Sequence, residues 1–285
     1  MKNGLNVKIW GTRGSMAAPY PDRMVYGANT SCVSVEWEDG IAVFDCGTGI
    51  RGFGEELSKP SDMEKKELHI FISHLHLDHI IGLPFLPQIY QKDWSLHFYG
   101  TAEAGTSFRE RLCFAAGPPY WPVALENAGA EICWHELIPG DEVSLPGGGK
   151  VRTIRSNHPD TAMLFRFDMG DISITYGLDC ELTKDFQDTY KTFVNKSSLL
   201  FFDGMYTESE LQKYSGYGHS SWEQGVKIKE LCQIGTLCIM HHDWGRTDSE
   251  LEKVENEIKT RHENCLFGRE GTLFRYELGG MEHED

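Results

Sequence analysis

The chain has 285 residues, of which 40% are hydrophobic, so it is long enough to bury a sizeable core. Its formal net charge is −16 at pH 7, and such an acidic surface repels phosphate backbones, which argues against long nucleic acid as a partner. The first residues contain no apolar segment, and no stretch approaches the roughly 20 apolar residues that cross a bilayer. We therefore expect no signal peptide, no membrane association, and a small anionic substrate.

The eight cysteines are scattered along the chain, and no two of them form a C-x-x-C pair. Several lie within apolar runs, such as Cys238 in "LCIM". Disulfides concentrate in small secreted domains, so we expect buried free thiols in a chain of this size. A reducing cytoplasm is the compartment that fits this composition best.

The first third of the chain is rich in predicted strands. "NVKIW", "SCVSVEW" and "IAVFDC" are short runs of β-branched and aromatic residues that are separated by turn residues. A fourth run, "LHIFIS", is almost entirely apolar, which predicts a strand that is buried on both faces.

Helices and strands alternate in the second half. Residues 182–193 are predicted to form a helix, and "SSWEQGVKIKELC" offers two overlapping capping boxes that begin at Ser220 and Ser221. A further capping box begins at Thr247, and the strands "SSLLFFD" and "GTLCIM" lie between the helices. Since no repeat or low-complexity linker divides the chain, we expect a single α/β domain over residues 1–285.

The stretch "SHLHLDHIIGLP", residues 73–84, crowds histidines and an aspartate behind the strand "LHIFIS". His74 and His76 lie two positions apart, so their side chains point the same way in extended backbone. Asp78 and His79 fall at the turn into a predicted helix that begins near Asp78. Packing alone rarely gathers such groups, and imidazole and carboxylate at this density suit Zn²⁺ or, less specifically, Mn²⁺ or Fe²⁺. One metal would take the first pair, and a neighbouring metal the second.

Four ligands cannot complete two metal sites, so further ligands must come from elsewhere. His158 follows the strand "KVRTIR", Asp179 ends "ISITYGLD", and His241 ends the apolar strand "TLCIM". Each alone would be an ordinary solvated residue at the end of a strand. Their shared position, where an apolar strand gives way to a polar tip, favours a common site.

This ordered set of motifs resembles that of the metallo-β-lactamase-fold hydrolases. The resemblance implies a four-layer αβ/βα sandwich with two divalent cations, most often Zn²⁺, along one edge. It implies one cation on His74, His76 and His158, a second on Asp78, His79 and His241, and Asp179 as the bridge between them. The histidine at position 79 differs from most true β-lactamases, and His76 stands where the flavo-diiron branch has Glu. Hydrolysis is therefore favoured over redox chemistry.

Four other segments resemble the ribonuclease Z-like phosphodiesterase branch: "WGTRGSMAAPYPDRMVYGANTSC", "FDCGTG", "FFDGMY" and "GYGHSSWEQ". The resemblance implies that Asp203 hydrogen-bonds His219, which would then contact the scissile phosphate or protonate the leaving oxygen. Ser220 or Ser221 is interpreted as a helix N-cap. Asp45 is either an orienting partner of the ligand loop or an ordinary aspartate at a Gly-rich turn.

We expect a metal-dependent hydrolase, with a hydroxide between the cations as nucleophile and Asp78 accepting its hydrogen bond. The preferred activity is that of a phosphodiesterase acting on a small diester such as a cyclic nucleotide. The alternatives are a hydrolase of carboxylic esters, lactones or thioesters, a ribonuclease Z-type RNA 3′-processing endonuclease, and a non-catalytic metal-bearing nucleotide sensor. Transfer-RNA enzymes of the branch carry a basic Gly/Pro-rich arm, and we find no such segment here. The sequence leaves the oligomeric state open, although homodimers are common among proteins that resemble this one.

The segment "AAGPPYWPVAL", residues 115–125, shows no periodicity that assigns it to a helix or strand. It would either cover the metals, with Tyr120 and Trp121 stacking on a base, or form a rigid hydrophobic plug on the core. We favour the plug.

Overall fold

The computed structural model describes residues 4–59, 66–102 and 105–279, and it is built around two facing β-sheets. The first sheet contains β1 (Gly4–Gly11), β2 (Cys32–Trp37), β3 (Gly40–Phe44), β4 (Glu67–Phe71), β5 (Ser95–Gly100), β6 (Glu131–Glu136) and β14 (Leu273–Glu277). The second contains β7 (Glu142–Ser144), β8 (Lys150–Arg155), β9 (Met163–Met169), β10 (Ile172–Gly177), β11 (Leu199–Asp203), β12 (Thr236–Met240) and β13 (Cys265–Phe267). The strand orders are β14-β1-β2-β3-β4-β5-β6 and β13-β12-β11-β10-β9-β8-β7.

Helices cover the outer faces of both sheets. They are α1 (Ile50–Leu57), α2 (Leu77–Ile80), α3 (Phe108–Ala115), α4 (Gln187–Val194), α5 (Trp222–Leu231) and α6 (Asp248–Lys259). Short 3₁₀ helices occupy Pro21–Arg23, Leu83–Phe85, Pro87–Tyr90, Leu125–Asn127 and Pro146–Gly148. The predicted four-layer αβ/βα sandwich of the metallo-β-lactamase type is therefore confirmed.

Three apolar clusters hold the layers together. In β1, burial alternates along the strand, and Leu5, Val7 and Ile9 enter the cluster between the two sheets. In β4, Leu68 and Ile70 instead join the cluster under the helices of the first sheet, and a third cluster lies under those of the second. Both faces of β4 are thus covered near its carboxyl end, as its apolar sequence predicts.

Strand direction determines where the loops gather. Strands β3 to β6 run parallel to one another, as do β10 to β13 in the second sheet. The carboxyl ends of neighbouring parallel strands meet at one edge of a sheet, which is where open α/β folds place ligands. The loops after β3, β4, β10 and β12 leave from these ends.

The predicted helix caps are largely as expected. Ser221 and Thr247 each begin a helix with a complete capping box. Ser220 does not cap the helix, because its hydroxyl donates to the carbonyl of Cys180 at 2.6 Å. The helix predicted over 182–193 is displaced and begins at Gln187, since the N–H of Leu182 donates to the Ser220 side chain instead of starting a helix.

The eight cysteines are free, as expected, and six of them are buried. Within the described ranges, no helix is both long enough and apolar enough to cross a bilayer.

Candidate metal centre

The seven predicted metal ligands lie together at the carboxyl edge of the two sheets. We call them the edge cluster: His74, His76, Asp78, His79, His158, Asp179 and His241. Two members have left-handed backbone, with φ of 53° at Asp179 and 58° at His241, and the adjacent Asp45 has φ of 61°. This conformation is uncommon for residues other than glycine and persists only where the surroundings enforce it. The local backbone is thus shaped to turn these side chains toward one another.

Three histidines form the first half of the edge cluster. His158 Nε2 lies 3.2 Å from His76 Nδ1, and the His74 ring centroid lies 4.4 Å from that of His76 and 4.8 Å from that of His158. Each offers a ring nitrogen within 4.8 Å of the others. This half of the edge cluster therefore combines His74 and His76 from the loop after β4 with His158 from the loop after β8.

The second half consists of Asp78, His79, Asp179 and His241. Asp78 Oδ2 lies 3.1 Å from His79 Nε2 and 3.4 Å from His241 Nε2. The same two nitrogens each lie 3.2 Å from Asp179 Oδ2. All four residues are buried, so these close contacts occur away from bulk water.

Asp179 joins the two halves. Its Oδ1 lies 3.9 Å from both His74 Nε2 and His158 Nε2, whereas its Oδ2 faces His79 and His241 at 3.2 Å. One carboxylate oxygen is thus directed toward each half. A carboxylate placed in this way has one oxygen available to each half.

The donor atoms of the edge cluster fit divalent cations. Among the described residues, nothing hydrogen-bonds Nε2 of His74, His79 or His241, or Oδ2 of Asp179, although all four atoms are buried. Each unsatisfied buried polar atom costs about 1–3 kcal/mol, which a metal bond would offset. Ligands at 2.0–2.2 Å from a tetrahedral Zn²⁺ lie about 3.4 Å apart. The contacts of 3.1–3.4 Å in the second half match this spacing.

Burial and charge set the protonation states of these groups. Burial alone would raise the pKa of Asp179, but His241 and His79 outweigh it and hold the pKa well below its usual range. Burial would likewise raise the pKa of Asp78, but His79 and His241 outweigh it and lower that pKa. Burial lowers the pKa of His74, aided by His79. Ionised carboxylates and a neutral imidazole are the forms that bind metals. Against burial, Asp179 and Asp78 hold the pKa of His79 well above its usual range, so a cation bound there would displace a proton from this ring.

Asp45 holds the ligand loop from behind. It accepts hydrogen bonds from the Ser73 N–H at 2.7 Å, the Ser73 hydroxyl at 2.8 Å and the Tyr176 hydroxyl at 2.8 Å. Its Oδ2 also lies 2.6 Å from His79 Nδ1, which leaves Nε2 of that ring for the cluster. Of the two interpretations of Asp45 from the sequence, these contacts support the orienting one.

Two further ligands are oriented by contacts that sequence patterns do not reveal. His158 Nδ1 donates to the carbonyl of Gly218 at 3.0 Å, and His76 Nε2 lies 3.2 Å from Asp160 Oδ2. Each contact engages one ring nitrogen and directs the other into the cluster. Gly218 and Asp160 were missed because their loops show no periodicity.

The expected pair of Asp203 and His219 is present beside the edge cluster. His219 Nδ1 lies 2.8 Å from Asp203 Oδ2, and Asp203 also accepts from the backbone N–H groups of Cys180 and Met205. The His219 ring stacks on that of His241 with centroids 4.9 Å apart. Burial opposes protonation of His219, but Asp203 outweighs it and raises the pKa to about 9.

The end of β1 and the loop after it, residues 10–15 ("WGTRGS"), pack directly on the edge cluster. The Ser15 N–H donates to Asp78 Oδ2 at 2.8 Å. A Cβ on Gly14 would lie 2.3 Å from the His241 ring, so only glycine fits there. Arg13 is fully buried and donates to the carbonyls of Gly27 at 2.7 Å and Arg246 at 2.8 Å, which ties this loop to the chain that follows His241. Neither Arg13 nor Gly14 was predicted to serve the site.

A cleft of about 270 Å³ opens next to His74 and His76. Its other walls include Thr101, Arg111 and Asp160. Arg111 brings a positive charge to the site, although the chain as a whole is acidic.

Segment 115–125 is only in part the buried plug that the sequence favours. Ala116 and Leu125 are buried in the apolar cluster under the helices of the first sheet. Between them Tyr120 is 67% exposed, and both prolines before it are exposed. Trp121 packs against Phe85 with centroids 4.9 Å apart, and its Nε1 donates to Tyr90 Oη at 3.0 Å.

Residues 42–242 match the family described as the Beta-lactamase superfamily domain, and the chain belongs to this family. Over an alignment of 312 residues it is 22% identical to ribonuclease Z of Thermoplasma acidophilum. The alignment covers 93% of this chain and 95% of that protein. Its fold resembles that of YhfI, a metallo-β-lactamase fold protein from Bacillus subtilis, with a TM-score of 0.71 and 18% identity over 96% of this chain and all of that one. A diphosphatase of the PhnP family is similar, with a TM-score of 0.70 and 16% identity over 96% and 98% of the two chains.

The chain is thus a metallo-β-lactamase-fold hydrolase related to ribonuclease Z, and this fold implies divalent metal binding.

Proposed function

We propose that the protein is a dinuclear-metal phosphodiesterase that cleaves a small phosphodiester, such as a cyclic nucleotide. The observation that carries this proposal is the geometry of Asp179, which directs one oxygen toward each half of the edge cluster. Two adjacent cations suit phosphoryl transfer because they can stabilise the attacking and leaving oxygens together.

The edge cluster would hold the cations as follows. One would be bound by His74, His76 and His158, the other by Asp78, His79 and His241, and Asp179 would contact both. When bound, such cations lower the pKa of water toward neutrality and offset the charge that develops on the phosphoryl oxygens. The nitrogen-rich donor set suits Zn²⁺ and also accommodates Mn²⁺ or Fe²⁺.

Asp78 and His219 would move and orient protons. Asp78 Oδ2 already accepts from the Ser15 N–H, and a carboxylate oxygen has a further lone pair with which to orient an attacking water. The bond between His219 Nδ1 and Asp203 leaves Nε2 as the ring nitrogen that can protonate the leaving oxygen. Asp203 would stabilise the protonated imidazole, as a buried carboxylate does in other catalytic histidine pairs.

The size and charge of the site favour a small substrate. The cleft of about 270 Å³ is slightly below the range of 300–1,000 Å³ that is typical of small-molecule pockets. The net charge of −16 opposes the approach of a long polyanion.

An RNA 3′-processing endonuclease is the second candidate. It is favoured by the similarity to a protein named ribonuclease Z over nearly the full length of both chains. Against it stand the acidic surface and the small cleft.

The test is a substrate panel with the zinc-loaded, full-length protein. We expect cleavage of bis(p-nitrophenyl) phosphate and of 2′,3′- or 3′,5′-cyclic nucleotides, with metal-stripped protein as the control. Precursor transfer RNA, lactones and thioesters are assayed in parallel. A higher kcat/KM on precursor RNA or on an ester would replace the proposal, and tight nucleotide binding without any product would identify a sensor.

A further inference from the structure

A second group of metal-ligating side chains lies at the other end of strand β4. We call it the strand cluster: Glu67, His69 and His97. Glu67 and His69 are two positions apart on β4, so they share a face, and His69 lies directly across from His97 on β5. The same face carries Phe71, which belongs to the core between the two sheets.

The distances within the strand cluster are those of a metal site. Glu67 Oε1 lies 3.3 Å from His69 Nε2 and 3.3 Å from His97 Nε2. All three ligand atoms lie within 4.8 Å of one another. Ligands of one tetrahedral Zn²⁺ are about 3.4 Å apart, and both contacts of Glu67 match this spacing.

His69 supplies an independent indication of a missing partner. Its side chain is only 5% exposed, and within the described residues its Nε2 has no hydrogen-bond partner. A buried ring nitrogen without a hydrogen-bond partner is costly, and a bound cation would satisfy it.

Outer contacts orient both rings. Tyr99 Oη lies 3.2 Å from His69 Nδ1, and His135 Nε2 lies 3.1 Å from His97 Nδ1. A partner on Nδ1 fixes the ring and leaves Nε2 to face Glu67, which is the usual arrangement behind metal-binding histidines. The side chains of Glu67 and His97 are 30% and 21% exposed, so a cation can enter from solvent.

We propose that Glu67, His69 and His97 form a third divalent-cation site, suited to Zn²⁺ with one coordination position open to solvent. It is separate from the edge cluster, because His69 precedes His74 by about 16 Å of extended chain. It does not depend on the proposed phosphodiesterase activity.

The experiment compares zinc content in full-length variants. Each protein is stripped of metal, loaded with Zn²⁺, separated from free zinc by gel filtration, and analysed for zinc per chain. We expect His97→Gln and Glu67→Gln each to hold one zinc fewer than the wild type. The matched control is His262→Gln, which removes a histidine paired with Glu230 far along the chain and should leave the zinc content unchanged. Equal zinc in the wild type and His97→Gln would overturn the proposal.

A second measurement does not depend on a variant. Nitrogen-15 spectra of histidine side chains during a Zn²⁺ titration should show a shift of His69 Nε2 that saturates at a defined stoichiometry. Circular dichroism of His97→Gln checks that its fold is intact, and its hydrolytic rate should match that of the wild type. If His69 Nε2 does not respond to Zn²⁺, the site does not exist, whatever the activity of the edge cluster.

Discussion

The edge cluster and the strand cluster use the same kinds of side chain but are built differently. The edge cluster takes its residues from loops after β4, β8, β10 and β12, and two of them adopt left-handed backbone. The strand cluster sits on two neighbouring strands in regular register. A loop site can place ligands around two cations but needs many outer contacts to hold them, whereas a strand site obtains its order from the sheet.

The outer contacts of the edge cluster have a structural cost. Asp45 and Arg13 are both buried charged groups, and each is satisfied by several hydrogen bonds. Burying such groups is unfavourable unless they are fully paired, so they are expected only where they position something. In the strand cluster, by contrast, the outer partners are a tyrosine and a histidine.

The largest effect should come from Asp179→Asn. It removes the charge from the group that faces both halves of the edge cluster, so both cation positions lose a ligand. We expect a loss of kcat/KM of at least about 10³-fold, together with less bound zinc. Zinc analysis and a diester assay measure this. Asp185→Asn, the same change at an exposed position, should retain both properties. Full zinc content in Asp179→Asn would show that Asp179 is not a shared ligand.

The next effect tests His219 without touching a cation ligand. Asp203→Asn keeps one acceptor oxygen, which can still accept from Met205, but its amide nitrogen replaces the oxygen that faces Cys180 and His219, so the side chain no longer stabilises a protonated His219. We expect kcat to fall by about 10²–10⁴-fold. The zinc content should equal that of the wild type, which separates a proton-transfer role from metal binding. A substrate with a very acidic leaving group should be affected least, and an equal loss on all substrates would contradict the role of His219 as a proton donor.

The two clusters also differ in how far sequence reveals them. His74 to His79 are dense in sequence, and His158, Asp179 and His241 each follow an apolar strand, so these patterns favoured a common site and the family resemblance implied its full ligand set. The strand cluster requires the register that places His69 opposite His97, which no local pattern gives. For the same reason Gly14, Gly218, Asp160 and Tyr176 escaped prediction, because each acts through a contact with a residue distant in sequence. The displaced start of α4 has the same kind of cause, because the Leu182 N–H donates to the side chain of Ser220, which lies 38 residues further along the chain.

A smaller effect should distinguish crowding at the edge cluster from backbone strain. A Cβ on Gly218, where φ is +87°, would lie 2.1 Å from His158 Nδ1. Gly216 has a similar φ of +84° but nothing within 4 Å of its Cβ position. Backbone strain should cost both alanine variants about 1 kcal/mol of stability. Gly218→Ala should lose more stability, because its Cβ would also displace His158. Denaturant unfolding and zinc analysis measure the two effects. Equal zinc in both variants would mean that His158 does not need its present position.

A last effect isolates the strand cluster by stability alone. In an Asp179→Asn background, Zn²⁺ at 100 times its dissociation constant should stabilise the fold by about 2.7 kcal/mol through any intact site. For a chain of this size, that is a rise in Tm of roughly 4–5 °C. Adding His97→Gln should remove most of this rise, whereas adding His262→Gln should not, because His97, unlike His262, contacts Glu67 and lies across from His69. If both double variants respond equally to Zn²⁺, the remaining stabilisation comes from the edge cluster, and β4 carries a metal at one end only.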